Sequence, residues 1–136
     1  MIQRCGGEPV RIALDTNAYV DLCRNDPRVT EVVRAAELIY LPWVVAGELR
    51  AGFLLGSRGA ENQRLLLKFI NSARVELLYP DDQTTHHYAR LFAQLRRQGT
   101  PIPANDIWIA AIALQHDLEL CTRDEHFAAL PQLTLC

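Results

Sequence analysis

Val10-Arg11-Ile12-Ala13-Leu14-Asp15-Thr16-Asn17 is a short apolar run that ends on one acid and two small polar residues. Val10 to Leu14 reads as a strand buried on both faces apart from Arg11, which is the pattern of a parallel sheet covered on both sides. Asp15-Thr16-Asn17 reads as the place where that strand stops and a helix starts. The pattern then repeats. Asn25-Asp26-Pro27 breaks the first helix, and Val29, Val32, Val33 and Ala36 recur at helical spacing in a second. Leu38 to Leu41 is a second expected strand, and Pro42 is placed at the first position of the helix that carries Glu48. Gly56, Ser57 and Gly59 punctuate a loop, and Leu66, Phe69, Ile70 and Ala73 mark the helix beyond it. Val75 to Tyr79 is a third strand. Pro80-Asp81-Asp82 starts a helix whose buried stripe is expected at Tyr88, Leu91, Phe92 and Leu95, and Gly99 ends it. Pro101 and Pro103 hold an extended connector. Asn105 is expected to cap a nearly all-apolar helix that runs to about Gln115 and should be deeply buried. Leu118 to Thr122 is a fourth strand and Leu133 to Leu135 a short fifth. Strands alternating with helices predict an α/β fold: a parallel sheet of four to five strands, flanked by helices on both faces.

Length and composition fit one domain over residues 1–136, with residues 1–9 as a short irregular lead-in. The 136-residue chain is 49% hydrophobic and 22% charged, enough to close one core. A formal net charge of -2 gives no bulk sign of nucleic-acid binding and does not exclude it. Of the 14 basic residues only Lys68 is a lysine, and arginine suits bidentate phosphate contacts. High-GC codon usage would give the same bias. Cys5, Cys23, Cys121 and Cys136 form no Cys-x-x-Cys and have no zinc spacing with histidine; Cys121 reads as a buried thiol. No apolar stretch follows Met1 and no run reaches membrane-spanning length, so a cytoplasmic protein is expected.

Four acids stand at junctions into helices. They are Asp15, Glu48 in Gly47-Glu48-Leu49, Asp106 in Asn105-Asp106-Ile107-Trp108, and Asp124 in Thr122-Arg123-Asp124. Each has a structural alternative. Asp15 and Asp124 suit helix caps, and Asp106 suits the positive end of a helix dipole. Glu48 and Arg50 are only two residues apart and do not face each other on a helix. A parallel sheet would gather such residues beyond the carboxyl ends of its strands, where open α/β folds bind ligands. Clustered carboxylates there suit a hard divalent cation such as Mg²⁺ or Mn²⁺, and so point to metal-dependent phosphoryl transfer. His86-His87 lack a third ligand and read as a solvated helix face. Arg90, Arg96 and Arg97 read equally as a phosphate-contacting face or a solvated one.

Taken together, the blocks Leu14-Asp15-Thr16-Asn17, Gly47-Glu48-Leu49 with Gly52, Pro101-Ile102-Pro103-Ala104-Asn105-Asp106-Ile107-Trp108-Ile109-Ala110-Ala111 and Thr122-Arg123-Asp124-Glu125-His126-Phe127 resemble a known family. The chain is similar to PIN-domain ribonucleases, specifically the VapC-type toxins of bacterial toxin–antitoxin pairs, from Ile12 to the C-terminus. The resemblance places the family's acidic quartet on Asp15, Glu48, Asp106 and Asp124. It places small polar helpers on Thr16, Asn17 and Thr122. It implies a metal-dependent endoribonuclease acting on structured RNA such as tRNA and leaving a 5′-phosphate and a 3′-hydroxyl. It also implies a homodimer and a cognate antitoxin that shuts the site. On this reading Asp15 and Asp106 ligate Mg²⁺ or Mn²⁺, Asp124 completes the shell, and Glu48 orients or deprotonates the attacking water. Asn105 and Arg123 support the site, and Arg123 could reach the scissile phosphate or pair with a carboxylate. Two other classes compete. A haloacid-dehalogenase-type phosphatase would want a second Asp where Asn17 stands. A non-catalytic RNA- or partner-binding module would have no need to keep four mutually repelling acids together.

Overall fold

The computed structural model describes residues 9–136, so the expected lead-in at residues 1–9 falls outside the described residues except for Pro9. Four strands, β1 (Arg11–Leu14), β2 (Leu38–Pro42), β3 (Val75–Leu78) and β4 (Glu119–Cys121), form one sheet in the order β3-β2-β1-β4. Every pairing is parallel, with Ile12 opposite Ile39 and Glu119, and Leu41 opposite Leu77. Six helices connect and cover the strands: α1 (Thr16–Cys23), α2 (Pro27–Ala35), α3 (Trp43–Leu55), α4 (Gly59–Ile70), α5 (Asp82–Gln98) and α6 (Ala104–Gln115). Ile12, Ala13 and Leu14 are consecutive and each is fully buried. Successive strand residues point to opposite faces, so both faces of β1 are covered by protein.

The expected fifth strand is only a single parallel bridge, Leu120 to Leu135. One bridge leaves Leu133–Leu135 too short to form a ladder, although Leu120 N–H donates to the Thr134 carbonyl at 2.8 Å.

Local chemistry explains most boundaries. Asp26 caps α2 by accepting from the Arg28 and Val29 amides, with Pro27 as the first helical residue. Asp81 and Thr84 form a reciprocal capping box at the start of α5, and Gly99 closes that helix in the left-handed conformation at φ 72°. At Gly59 a Cβ would lie 2.4 Å from the Phe53 carbonyl oxygen, so the tight link from α3 to α4 requires glycine.

Several expectations need correction. Pro42 is the last residue of β2 and the N-cap of α3, not its first turn. Pro103, not Asn105, is the N-cap of α6, because the helix already begins at Ala104. On α5 only Leu91 and Leu95 of the expected stripe are buried; Phe92 is exposed and Tyr88 is half-buried. Their rings instead form an aromatic series at the surface, Tyr88 stacking on Trp108 with centroids 3.9 Å apart. Ala73 lies beyond the end of α4 and is exposed. The reading of α6 holds: Ile107 and Ile109 to Ala113 are all buried, as expected of a helix apolar on every side.

The topology itself fixes the site. From β1 the chain moves outward through β2 to β3, then returns across the sheet to β4 on the other side of β1. The reversal lies between β1 and β4. Both strands deliver their carboxyl ends there, and an open parallel sheet forms its crevice at such a point.

Candidate active site

Asp15 leaves β1 and caps α1, its Oδ1 accepting the Ala18 amide at 2.8 Å. Its Oδ2 accepts the hydroxyl of Thr122, the residue that follows β4. The same hydroxyl oxygen accepts the Asp124 amide at 2.9 Å. Thr122 therefore ties the end of β4 to the end of β1 and orders the turn that presents Asp124. Asp124 in turn caps the 3₁₀ turn Glu125–Ala129, accepting the His126 amide at 2.9 Å. The fully buried Phe127 anchors that turn in the core.

Asp106, in the first turn of α6, meets this turn. His126 Nδ1 lies 2.9 Å from Asp106 Oδ2 and 3.1 Å from Asp124 Oδ1. One ligand atom from each of Asp106, Asp124 and His126 lies within 4.8 Å of the others. Two carboxylate oxygens and an imidazole nitrogen so converged are a chemically suitable donor set for a divalent cation. Glu48 closes the opposite side. Its Oε1 accepts from the Thr16 hydroxyl at 2.8 Å and its Oε2 from the Asn105 amide at 3.4 Å. The carboxylate thereby links α1, α3 and α6.

The electrostatics agree with the geometry. The Asp15 carboxyl is held above its ordinary carboxylate pKa, first by burial; the Thr122 and Ala18 hydrogen bonds oppose that shift, and the charges of Asp124 and Asp106 add to it. The Asp106 carboxyl is also raised, again first by burial. Its hydrogen bond from His126 opposes the shift, while Asp124 and Glu48 add to it. His126 is raised above the usual histidine value, chiefly by its hydrogen bond to Asp106. Asp106 thus lies within electrostatic reach of Asp15, Glu48 and Asp124, although the four are spread from residue 15 to residue 124.

A family model for the PIN domain matches residues 12–133. Ribonuclease VapC1 of Haemophilus influenzae (strain R2866) is 32% identical over 114 residues, which span 82% of this chain and 84% of that protein. The chain belongs to the PIN-domain family, in its VapC group. Solved structures in the family superpose closely on this PIN domain. VapBC-1 from nontypeable Haemophilus influenzae gives a TM-score of 0.83 at 28% identity, covering 93% of this chain and 97% of the other. VapBC-5 from Mycobacterium tuberculosis, a member of the VapBC family of toxin–antitoxin systems, gives 0.71 at 28% identity, covering 93% and 94%.

The PIN fold brings Asp15, Glu48, Asp106 and Asp124 to one edge, together with Thr16, Asn105 and Thr122. Asp15 stands apart from the three-residue donor set in one respect. It is only 4% exposed and both of its oxygens already accept hydrogen bonds. Asn17 lies half-buried on the first turn of α1 and makes no side-chain hydrogen bond among the described residues. Arg123 takes the second of its two expected roles. Its Nε donates to Asp21 Oδ2 at 2.9 Å, which fixes the guanidinium against α1. His86 pairs with Asp82 on the solvated face of α5, away from any third ligand among the described residues.

Two residues of the PIN site were not anticipated. His126 lies in the block that carried the resemblance, two residues after Asp124, and that spacing was its only signal. Asp21 is a buried acid on α1 that accepts from Arg123. Nothing in the sequence pairs residue 21 with residue 123.

Proposed function

We propose that this PIN domain is a metal-dependent endoribonuclease toxin that hydrolyses phosphodiester bonds of structured RNA such as tRNA, held in check by a cognate antitoxin. The observation that carries the reading is the convergence of Asp106, Asp124 and His126 at the β1/β4 reversal, with Asp15 buried behind them. Asp106 and Asp124 would hold Mg²⁺ or Mn²⁺ directly, with His126 as a further donor and Asp15 completing the acidic shell. When bound, the cation supplies charge neutralisation at the phosphodiester and acidifies water for attack. Glu48, held by Thr16 and Asn105, sits to orient that water and take up its proton. Thr122 fixes Asp15 and the Asp124 turn in one geometry. Arg123, paired with Asp21, tethers the Asp124 turn to α1.

The phosphatase alternative fits less well. Its mechanism wants a second Asp two residues after Asp15, where this chain has Asn17, and an accessible nucleophile, whereas Asp15 is buried.

Relatives occur in VapBC toxin–antitoxin systems, which supports a cognate antitoxin for this chain; a homodimer belongs to the same proposal. Among the described residues no helix is long and apolar enough to cross a membrane. The reading places the protein in the cytoplasm, with its RNA.

Expression of the chain in a bacterial host should arrest growth, and co-expression of the neighbouring small gene should restore it. An arginine of the antitoxin segment that enters the acidic cleft should be needed for relief, through charge-assisted hydrogen bonds. Colony counts after induction provide the readout. Arrest that persists in the Asp106→Asn variant would separate toxicity from the proposed chemistry.

A further inference from the structure

We propose that Cys121 and Cys136 form a reversible dithiol–disulfide pair that staples the loop carrying Thr122, Asp124 and His126. The backbone puts the two residues side by side. Leu120 and Leu135 make a parallel bridge, with Leu120 N–H donating to Thr134 at 2.8 Å and Cys136 N–H donating to Leu120 at 2.9 Å. One residue further along both segments stand Cys121 and Cys136. Residues paired across a parallel ladder have side chains on the same face, and adjacent strands lie about 4.8 Å apart. That spacing falls inside the window of about 4.4–6.8 Å between the Cα atoms of disulfide partners. Both thiols are free. Arg28 holds the Cys136 backbone in place by donating to its carbonyl at 3.3 Å.

Access is unequal. Cys121 is fully buried, whereas Cys136 is half-buried and lines a cavity of about 450 Å³ with Val10, Arg28, Val32 and Leu135. Hydrogen peroxide reaches the pair through that cavity. Cys121 is the readier thiolate, held below its usual value chiefly by its Cys136 neighbour, whose own thiol is pushed up. The Cys121 thiolate attacks the peroxide oxygen; an S–O bond forms, the O–O bond breaks and hydroxide leaves, giving a sulfenic acid. Cys136 then gives up its proton and attacks that sulfur; the S–S bond forms, the S–O bond breaks and a second hydroxide leaves. The two thiol protons convert both hydroxides to water. Two thiols are oxidised and one peroxide is reduced. Thiols in a reducing compartment form such links transiently.

The link closes the chain from 121 to 136, and that closed loop contains the Thr122 tie, Asp124, His126 and the buried Phe127 anchor. Oxidation therefore braces one wall of the site without altering its donor atoms. Thermal stability should rise by roughly 5–10 °C, the order expected for a loop of this length in a domain of this size.

The test is to treat the full chain with hydrogen peroxide in metal-free buffer and follow intact mass, peptide mapping and melting temperature. Expected are a loss of two hydrogen masses mapped to Cys121–Cys136, a raised melting temperature, and reversal of both by a thiol reductant. Replacing Cys5 and Cys23 together by serine should leave this response intact. Cys136→Ser, at the less buried position, should abolish it, and Cys121→Ser should do the same where it folds. Absence of the mass loss would overturn the proposal. So would mapping of the link to Cys5 or Cys23, or an undiminished melting shift in Cys136→Ser.

Discussion

Asp106→Asn and Asp15→Asn should each reduce metal-stimulated RNA cleavage by on the order of a hundredfold or more, while leaving the circular-dichroism spectrum unchanged. Changes outside the metal's direct ligands already cost about 10–100-fold in comparable sites, and Asp106 is placed as a direct ligand. The fold should survive both changes for reasons visible in the structure. Asp15 caps α1 through one oxygen, and asparagine is as good an N-cap as aspartate. Asp106 sits in the first turn of α6, where the dipole favours negative charge by only a few tenths to about 1 kcal/mol. The two variants should differ in how they fail. Asp106→Asn removes a ligand charge that attracts His126 and repels Asp124, so metal affinity should fall. Asp15→Asn also replaces the acceptor of the Thr122 hydroxyl with an amide that can offer either an oxygen or a nitrogen, so the Asp124 turn should loosen as well. Full activity in either variant would remove that residue from the site.

The metal-free protein should lose stability as pH rises through the acidic range and regain it with Mn²⁺. Asp15 and Asp106 both have folded-state pKa values raised above the unfolded value, mainly by burial. For groups raised in the folded state, the stabilising contribution is fully present below the unfolded pKa and is lost as pH rises through the folded one. His126 is raised too, chiefly by Asp106, and its contribution has the same sign in a higher window. It stabilises the fold while protonated and is lost as the pH passes its folded pKa. Divalent metal binds the native state and should restore stability by about 2.7 kcal/mol at a hundredfold excess over its dissociation constant. Asp106→Asn relieves repulsion and removes a ligand. It should melt above wild type in chelator and gain less from Mn²⁺, whereas Glu61→Gln should do neither. Asp106→Asn melting below wild type in chelator, with an undiminished Mn²⁺ shift, would make Asp106 a structural residue.

The legible parts of this chain were those governed by local rules. Period, caps and breakers located all four strands of the sheet and the six helices, because Asp26-Pro27, Asp81-Asp82 and Gly99 act on the backbone within a few residues of themselves. Pro103 reads as part of a connector, yet it caps α6. A proline without a side-chain donor or acceptor looks the same before a helix as within an extended stretch. The stripe on α5 failed at Tyr88 and Phe92 because a helix sequence does not say whether a neighbouring tryptophan offers an aromatic surface outside the core. Asp15 and Asp124 were legible because they follow strand ends, and Glu48 and Asp106 because each stands in a sequence block of its own on a helix; topology then carries them together. His126 and Asp21 were not legible. Their partners, Asp106 and Arg123, lie on other elements, and such pairs exist only after the fold has formed. The cap readings of Asp15 and Asp124 hold, and that of Asn105 does not. Asp15 and Asp124 both cap the elements they start, so the same carboxylates fix the local backbone and line the crevice.

The most direct test is cleavage of end-labelled structured RNA by the purified wild-type chain as Mn²⁺ is titrated into chelated protein, with the product ends identified. The predicted result is no cleavage in chelator, a saturable rise with Mn²⁺, and products bearing a 5′-phosphate and a 3′-hydroxyl. Cleavage that proceeds equally well in chelator, or that leaves a 2′,3′-cyclic phosphate, would contradict the account. Cleavage in chelator would mean that the reaction needs no metal at the β1/β4 reversal, and a cyclic phosphate would mean that the 2′-hydroxyl, not water, attacks the phosphorus.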